Sequence, residues 1–218
     1  MNKKTSVIAG IALVLILGVL VILNLPENPA KDLPRAQDSN EPTTPALHEQ
    51  TDAAITYSFL EESTVGFTGS KVTGSHDGGF KSFKGSFTLD GGQLAGQDNQ
   101  IVIQMNSVWS DSDRLTGHLM SADFFEVETY PEASFTVTAA AKDPDKAAYT
   151  LTGNFTLHGK TKSIMFPATI TQEGHNFRVK SEFVINRTDY GIVYPGKVND
   201  LIRDEVVIRL DMVAAPDA

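Results

Sequence analysis

The chain has 218 residues, a formal net charge of −9 and no cysteine. The acidic balance disfavours nucleic acid and anionic lipid headgroups as partners, because proteins that bind either one present basic surface. Without cysteine there are no disulfides, no thiolate metal sites, no cysteine nucleophile and no lipidated cysteine.

Residues 1–25 are predicted to form a membrane anchor. The run 7–23 (VIAGIALVLILGVLVIL) carries no charge and lies at the lower length limit for a membrane-spanning helix. It exceeds the apolar core of a secretory signal, and no small-x-small cleavage pattern follows closely, so we expect an uncleaved anchor rather than a removed signal. Lys3 and Lys4 favour a cytoplasmic N-terminus. The predicted location is therefore single-pass in the cytoplasmic membrane, with the remaining chain facing the periplasm or exterior.

Residues 26–53 are predicted to form a flexible linker. The segment is polar and holds half of the prolines in the chain: Pro26, Pro29, Pro34, Pro42 and Pro45. Such a composition buries too little apolar surface to offset its ordering entropy. We therefore expect the linker to hold the following domain tens of ångströms from the membrane, and the domain to fold without the first 50 residues.

Residues 54–215 are predicted to form one all-β domain. Apolar and polar residues alternate with period two through 55–59, 65–68, 82–89, 101–105, 135–139, 150–157, 164–170, 177–185 and 206–212. Turn sequences such as Asp90-Gly91-Gly92 separate these stretches. Eight or nine strands with short turns indicate an antiparallel barrel or sandwich.

One interval departs from this alternation. Within 112–123, Leu115 and Leu119 lie four residues apart, as on one face of a helix, and Asp111, Ser112 or Asp113 can cap its start. The sequence predicts a single short helix here.

Three segments together resemble the YceI-like family of bacterial periplasmic proteins. They are 115–128 (LTGHLMSADFFEVE), 151–162 (LTGNFTLHGKTK) and 183–192 (FVINRTDYGI), in that order. The resemblance implies a lipocalin-like, eight-stranded antiparallel barrel with a helix packed over it. It also implies an apolar tunnel that holds a polyisoprenoid or fatty-acyl lipid.

The inward faces of the predicted strands are compatible with such a tunnel. Small residues, including Gly69, Gly85, Gly153 and Ala139, alternate there with large apolar ones and could leave a dry volume. The alternative is that small and large residues together fill the barrel. The predicted tunnel wall consists of Phe67, Phe83, Phe87, Ile103, Met105, Leu115, Leu119, Phe135, Val137, Gly153, Phe155, Phe183, Ile185 and Ile208. A leucine at position 153 should then fill the tunnel without loss of stability.

The polar candidates are few. His118 either ties the helix to the barrel rim or contacts a lipid headgroup, and Arg187 either pairs with Asp189 on one strand face or binds an anionic headgroup. No histidine pair has metal-binding spacing and no nucleophile motif is present, so we expect no metal, no cofactor and no catalytic residues.

The leading hypothesis is non-enzymatic carriage or sequestration of a long-chain lipid on the outer side of the cytoplasmic membrane. The expected partners are that lipid and, through the N-terminal helix, the membrane, with nucleic acid excluded and a homodimer possible. The alternatives are a lipid-processing enzyme, which would need polar groups converging in the tunnel, and a structural or interaction barrel with a filled core.

Overall fold

A computed structural model describes residues 25–39, 49–143, 148–194 and 202–217. Apart from Leu25, the predicted anchor lies outside this range. In the described ranges no helix is both long enough and apolar enough to cross a bilayer.

The described chain is built mainly of β-strands. They are β1 (Gln37–Ser39), β2 (Ile55–Phe59), β3 (Thr64–Lys71), β4 (Gly74–Phe80), β5 (Phe83–Asp90), β6 (Gln93–Gln104), β7 (Val108–Ser110), β8 (Glu132–Lys142), β9 (Tyr149–Leu157), β10 (Lys160–Glu173), β11 (Asn176–Asn186) and β12 (Ile202–Pro216). The helix α1 (Asp113–Met120) and two 3₁₀ turns, Met105–Ser107 and Arg187–Tyr190, complete the described elements.

Eight of these strands close into an antiparallel barrel. The ring runs β2–β5–β6–β8–β9–β10–β11–β12 and returns to β2 through the pairing of Phe59 with Ala214. β3 pairs with β12, and β4 and β7 follow β3 in the same sheet. The predicted all-β fold, with an eight-stranded closed barrel and one described helix, is confirmed.

The two ends of the barrel differ. The "helix end" holds α1, the β3–β4 turn and the start of β12, whereas the "far end" holds the β5–β6 and β10–β11 turns. At the far end, Gly91 and Gly92 have φ of 57° and 82°, in the left-handed region that glycine adopts at little cost. The Asp-Gly-Gly turn signal in the sequence has this conformational basis.

Helix α1 begins where the sequence analysis places it. The Ser112 side chain accepts a hydrogen bond from the Leu115 backbone N–H, which makes Ser112 the N-cap among the three candidates. Leu119 is buried with Phe67 and Val108, so the apolar side of the helix covers the helix end of the barrel.

The predicted flexible linker is wrong over residues 28–39, hereafter the seated segment. Ala30 is only 1% exposed and packs against Val184 and Val207, two outward-facing valines of β11 and β12. Further along, β1 pairs with Ser163–Met165 of β10. This part of the chain buries enough apolar surface and forms enough backbone hydrogen bonds to be ordered against the barrel.

The seated segment fills a gap between β10 and β11. Their ladder runs from Glu173–Asn176 to Thr169–Lys180 and stops short of Pro167. Proline has no backbone N–H to donate to the neighbouring strand. The Pro167 carbonyl accepts a hydrogen bond from the Ser181 hydroxyl of β11 at 2.6 Å.

Beyond Pro167 the two strands bond to the seated segment rather than to each other. The Val184 N–H donates to the Pro34 carbonyl, and the Ala36 N–H donates to the Val184 carbonyl, at 2.9 and 2.8 Å. Ala36 also packs against the barrel core. The seated segment is therefore an additional wall strand added between β10 and β11.

We expect removal of residues 1–50 to destabilise the barrel relative to removal of residues 1–24 alone. The larger deletion re-exposes Val184 and Val207 and unpairs the backbone of β10, at a cost of about 2 kcal/mol or more. Urea unfolding followed by circular dichroism measures the difference. Equal stability of the two truncated chains would show that the seated segment contributes nothing.

Candidate functional site

The barrel encloses a cavity of about 1420 Å³. Its lining extends from Lys71, Arg114 and Arg203 at the helix end to Gln93 and Lys142 at the far end. Ordinary small-molecule pockets measure roughly 300–1,000 Å³, so this cavity can hold a longer ligand. The barrel is consequently not filled by its own side chains.

The middle of the cavity is apolar and rich in aromatic rings. Phe166 of β10 and Phe183 of β11 stack with ring centroids 4.1 Å apart, and Phe135 lies 5.2 Å from Phe166. The stacked rings of Phe166 and Phe183 thus connect β10 and β11 near the gap in their backbone ladder. A cavity with such walls favours hydrocarbon over water.

The most deeply buried polar side chain of the wall is engaged with the protein. Asn99 lines the cavity and is 1% exposed, yet its amide accepts from the Thr88 N–H and donates to the Ala95 carbonyl. Among the described residues no group of acidic and histidine side chains could hold a metal ion.

Most of the predicted tunnel residues lie on the cavity wall. The wall includes Phe67, Phe87, Ile103, Met105, Leu115, Leu119, Phe135, Val137, Phe155, Phe183, Ile185 and Ile208. Their contact with a ligand stays a prediction.

Phe83 and Gly153 do not line the cavity. Phe83 packs against the core without reaching the cavity. Gly153 pairs with Val137 and Ile164, but the Phe135 ring lies over it, so a Cβ at Gly153 would lie 2.5 Å from Phe135 Cζ and 2.4 Å from the Thr136 carbonyl oxygen. The glycine accommodates an aromatic ring from the neighbouring strand instead of leaving open volume.

Several wall residues were absent from the predicted set: Phe59, Phe80, Phe124, Phe125, Phe166 and Phe177. Phe166 and Phe177 lie on inward faces that the alternation already marked. Phe124 and Phe125 follow α1 and lie outside any strand. The adjacent aromatic pair directly after the helix is the sequence feature that could have indicated them.

His118 is held at the helix end by its neighbours. Its Nε2 lies 3.0 Å from Asp123 Oδ2, and its ring packs edge-on against Phe124 and Tyr194. These contacts join the helix to the loop that follows it and to the chain after β11. The ring also lines the cavity, so its predicted headgroup contact stays open.

The predicted ion pair between Arg187 and Asp189 is wrong. The two residues lie on a 3₁₀ turn rather than a strand, and Asp189 Oδ1 is 3.9 Å from the Lys162 amine. Arg187 pairs instead with Asp204 at 2.9 Å and donates to the Ile192 and Arg203 carbonyls. Its side chain is 8% exposed, and each of its three nitrogens has a protein acceptor. Arg187 therefore ties the chain after β11 to the start of β12.

Three other cationic side chains lie at the helix end of the cavity. Arg114 on α1 is exposed, while Lys71 and Arg203 are partly buried where β3 meets β12. Arg203 Nη1 donates to the Lys71 carbonyl at 2.6 Å. These residues, rather than Arg187, supply the cationic surface beside the cavity.

Comparison with known proteins agrees with this architecture. The YceI-like domain family matches residues 59–214. A UPF0312 protein of Pseudomonas putida (strain W619) is 34% identical over 138 residues, which cover 61% of this chain and 71% of the relative. A UPF0312 protein of Photorhabdus laumondii is 39% identical over 97 residues, covering 44% and 50% respectively.

Solved structures share the barrel. Burkholderia cenocepacia BcnA has a TM-score of 0.63 at 25% identity, covering 71% of this chain and 97% of that one. A polyisoprenoid binding domain from Saccharophagus degradans, implicated in plant cell wall breakdown, has a TM-score of 0.60 at 20% identity, covering 74% and 98%. The seated segment precedes the residues that the family matches.

We expect Gly153→Leu to destabilise the barrel, contrary to the expectation from sequence. The added side chain meets Phe135 and backbone, and overpacking of this kind costs about 1–3 kcal/mol or more. The matched change Gly69→Leu should leave stability nearly unchanged, because a Cβ there meets nothing within 4 Å. Urea unfolding of both variants checks the contrast; equal losses would contradict it.

Proposed function

Because the chain belongs to the YceI-like family, we propose that it binds a long-chain apolar lipid inside the barrel without catalysing a reaction. The observation that carries this proposal is the cavity of about 1420 Å³ with an apolar middle. Each methylene buried there contributes about 0.8 kcal/mol, so a polyisoprenoid or long acyl chain would gain enough energy to stay bound.

The helix end of the cavity suits the polar headgroup of such a lipid. Arg114, Lys71 and Arg203 line the helix end, where a phosphate or carboxylate headgroup could pair with cationic side chains. The Saccharophagus degradans domain, which shares the fold, is described as polyisoprenoid binding, and this supports an isoprenoid among the candidate ligands.

We further propose that this binding occurs on the outer side of the cytoplasmic membrane. The apolar run 7–23 would anchor the chain there, and the protein would carry or sequester lipid beside the bilayer. A lipid-processing enzyme is the alternative function. An enzyme would need reactive side chains that converge on the bound lipid. Asn99, the most deeply buried polar residue of the wall, is instead engaged with backbone groups.

The test is to extract lipid from purified full-length protein and identify it by mass spectrometry. We expect roughly one long-chain lipid per barrel, unmodified after prolonged incubation. Gly69→Leu should reduce the bound lipid at least tenfold, because Gly69 lines the cavity and an added Cβ there meets nothing within 4 Å, which leaves the leucine free to occupy cavity volume.

The matched control is Gly117→Leu. Gly117 lies on the exposed side of α1, is absent from the cavity wall, and also has nothing within 4 Å of an added Cβ. Lipid retained by the detergent belt around the anchor would be the same in both variants. Equal lipid content in the two proteins would contradict binding inside the barrel, and conversion of the lipid would favour the enzyme.

A further inference from the structure

The seated segment fixes the point at which the N-terminal chain leaves the barrel. Ala30 is buried against β11 and β12, Ala36 packs against the core, and β1 is bonded to β10. Because these contacts hold residues 28–39 on the barrel wall, the free part of any connection to the N-terminal apolar run ends at Asn28.

Asn28 is held near the helix end of the cavity. Its Nδ2 donates to Glu205 Oε2 at 2.9 Å, and Arg35 bonds the other oxygen of the same carboxylate. These hydrogen bonds lower the pKa of Glu205 below its usual value, and the bond from Asn28 has the larger effect. Glu205 lies two residues after Arg203, which lines the helix end of the cavity.

The connection from the apolar run to this point is short. From Leu23 to Asn28 a fully extended chain covers at most about 17 Å. β10 has 14 residues, and a strand of that length tilted by about 45° rises roughly 33 Å along a barrel axis. The barrel is therefore about twice as long as this connection, which keeps Asn28 and the helix end within about 17 Å of the anchor but cannot reach the far end.

We propose that, with residues 7–23 serving as the proposed anchor, the seated segment holds the helix end of the barrel against the bilayer. The partner is the lipid bilayer itself, and lipid would pass between it and the cavity at this end. Val193, which is 66% exposed beside the wall residues Ile192 and Tyr194, adds apolar surface on this side. With a net charge of −9 for the whole chain, the tether rather than electrostatic attraction sets this orientation.

The identity of the cargo rests on the proposed lipid binding, whereas the orientation rests only on the proposed membrane anchor and on the contacts of the seated segment. The two ideas can therefore fail separately.

The orientation can be measured by fluorescence quenching on full-length protein in phosphatidylcholine vesicles that contain a headgroup-nitroxide lipid. The chain has no cysteine, so Thr73→Cys in the β3–β4 turn and His175→Cys in the β10–β11 turn each provide one labelling site. Both residues are exposed and outside the cavity wall. We expect the label at 73, at the helix end, to be quenched several-fold more than the label at 175.

A longer tether should abolish this difference while the seated segment stays bound. Twelve Gly/Ser residues inserted between Glu27 and Asn28 add a root-mean-square reach of about 20 Å, and quenching at 73 should fall to the value at 175. Ala30→Glu tests the seat directly, because it places a charge against Val184 and Val207. Ala53→Glu is its matched control, since Ala53 is exposed.

Ala30→Glu should reduce quenching at 73 and Ala53→Glu should not. Equal quenching at 73 and 175 in the parent protein, or quenching at 73 that survives the insertion, would overturn the orientation. Failure of the full chain to float with the vesicles would overturn it as well. Lipid extracted from the same preparations reports the cavity separately, so empty barrels with asymmetric quenching would sink only the proposed cargo.

Discussion

Closure of the ring between β10 and β11 is the constraint on which the cavity depends. The wall of an antiparallel barrel is continuous only where neighbouring strands are hydrogen-bonded, and Pro167 removes a donor from the β10–β11 pair. The chain restores closure with its own residues 34–39, which bond to β10 on one side and to Val184 on the other. Stacking of Phe166 on Phe183 covers the inner side of the same region.

Closure of the ring also sets the width of the interior, which side chains can either fill or leave open. Eight strands enclose a space just wide enough for side chains or one slim ligand, so small differences at single positions decide between filling and opening. At Gly153 the neighbouring Phe135 occupies the freed space, whereas at Gly69 an added Cβ would meet nothing within 4 Å. Two glycines on inward faces therefore have opposite consequences for the cavity.

Much of the barrel could be predicted from local sequence, because alternation, turn glycines and the Ser112 cap each act within a few residues. Interactions between distant segments could not. The partner of Arg187 is Asp204 rather than nearby Asp189, since the chain turns at 187–190 instead of extending. The seated segment was missed because its polar, proline-rich composition resembles a linker, and its place is defined only by the gap beside Pro167. That proline within an otherwise regular strand was the available signal.

Calorimetric titration of delipidated protein with a series of single-chain lipids of increasing length would show whether the apolar cavity accepts one lipid chain. We predict that binding becomes more favourable by about 0.8 kcal/mol for each added methylene and reaches a plateau once the lipid chain fills the barrel. Gly69→Leu should shift that plateau to shorter chains. Affinity that does not change with chain length, or no binding at any length, would show that the barrel does not hold a lipid chain.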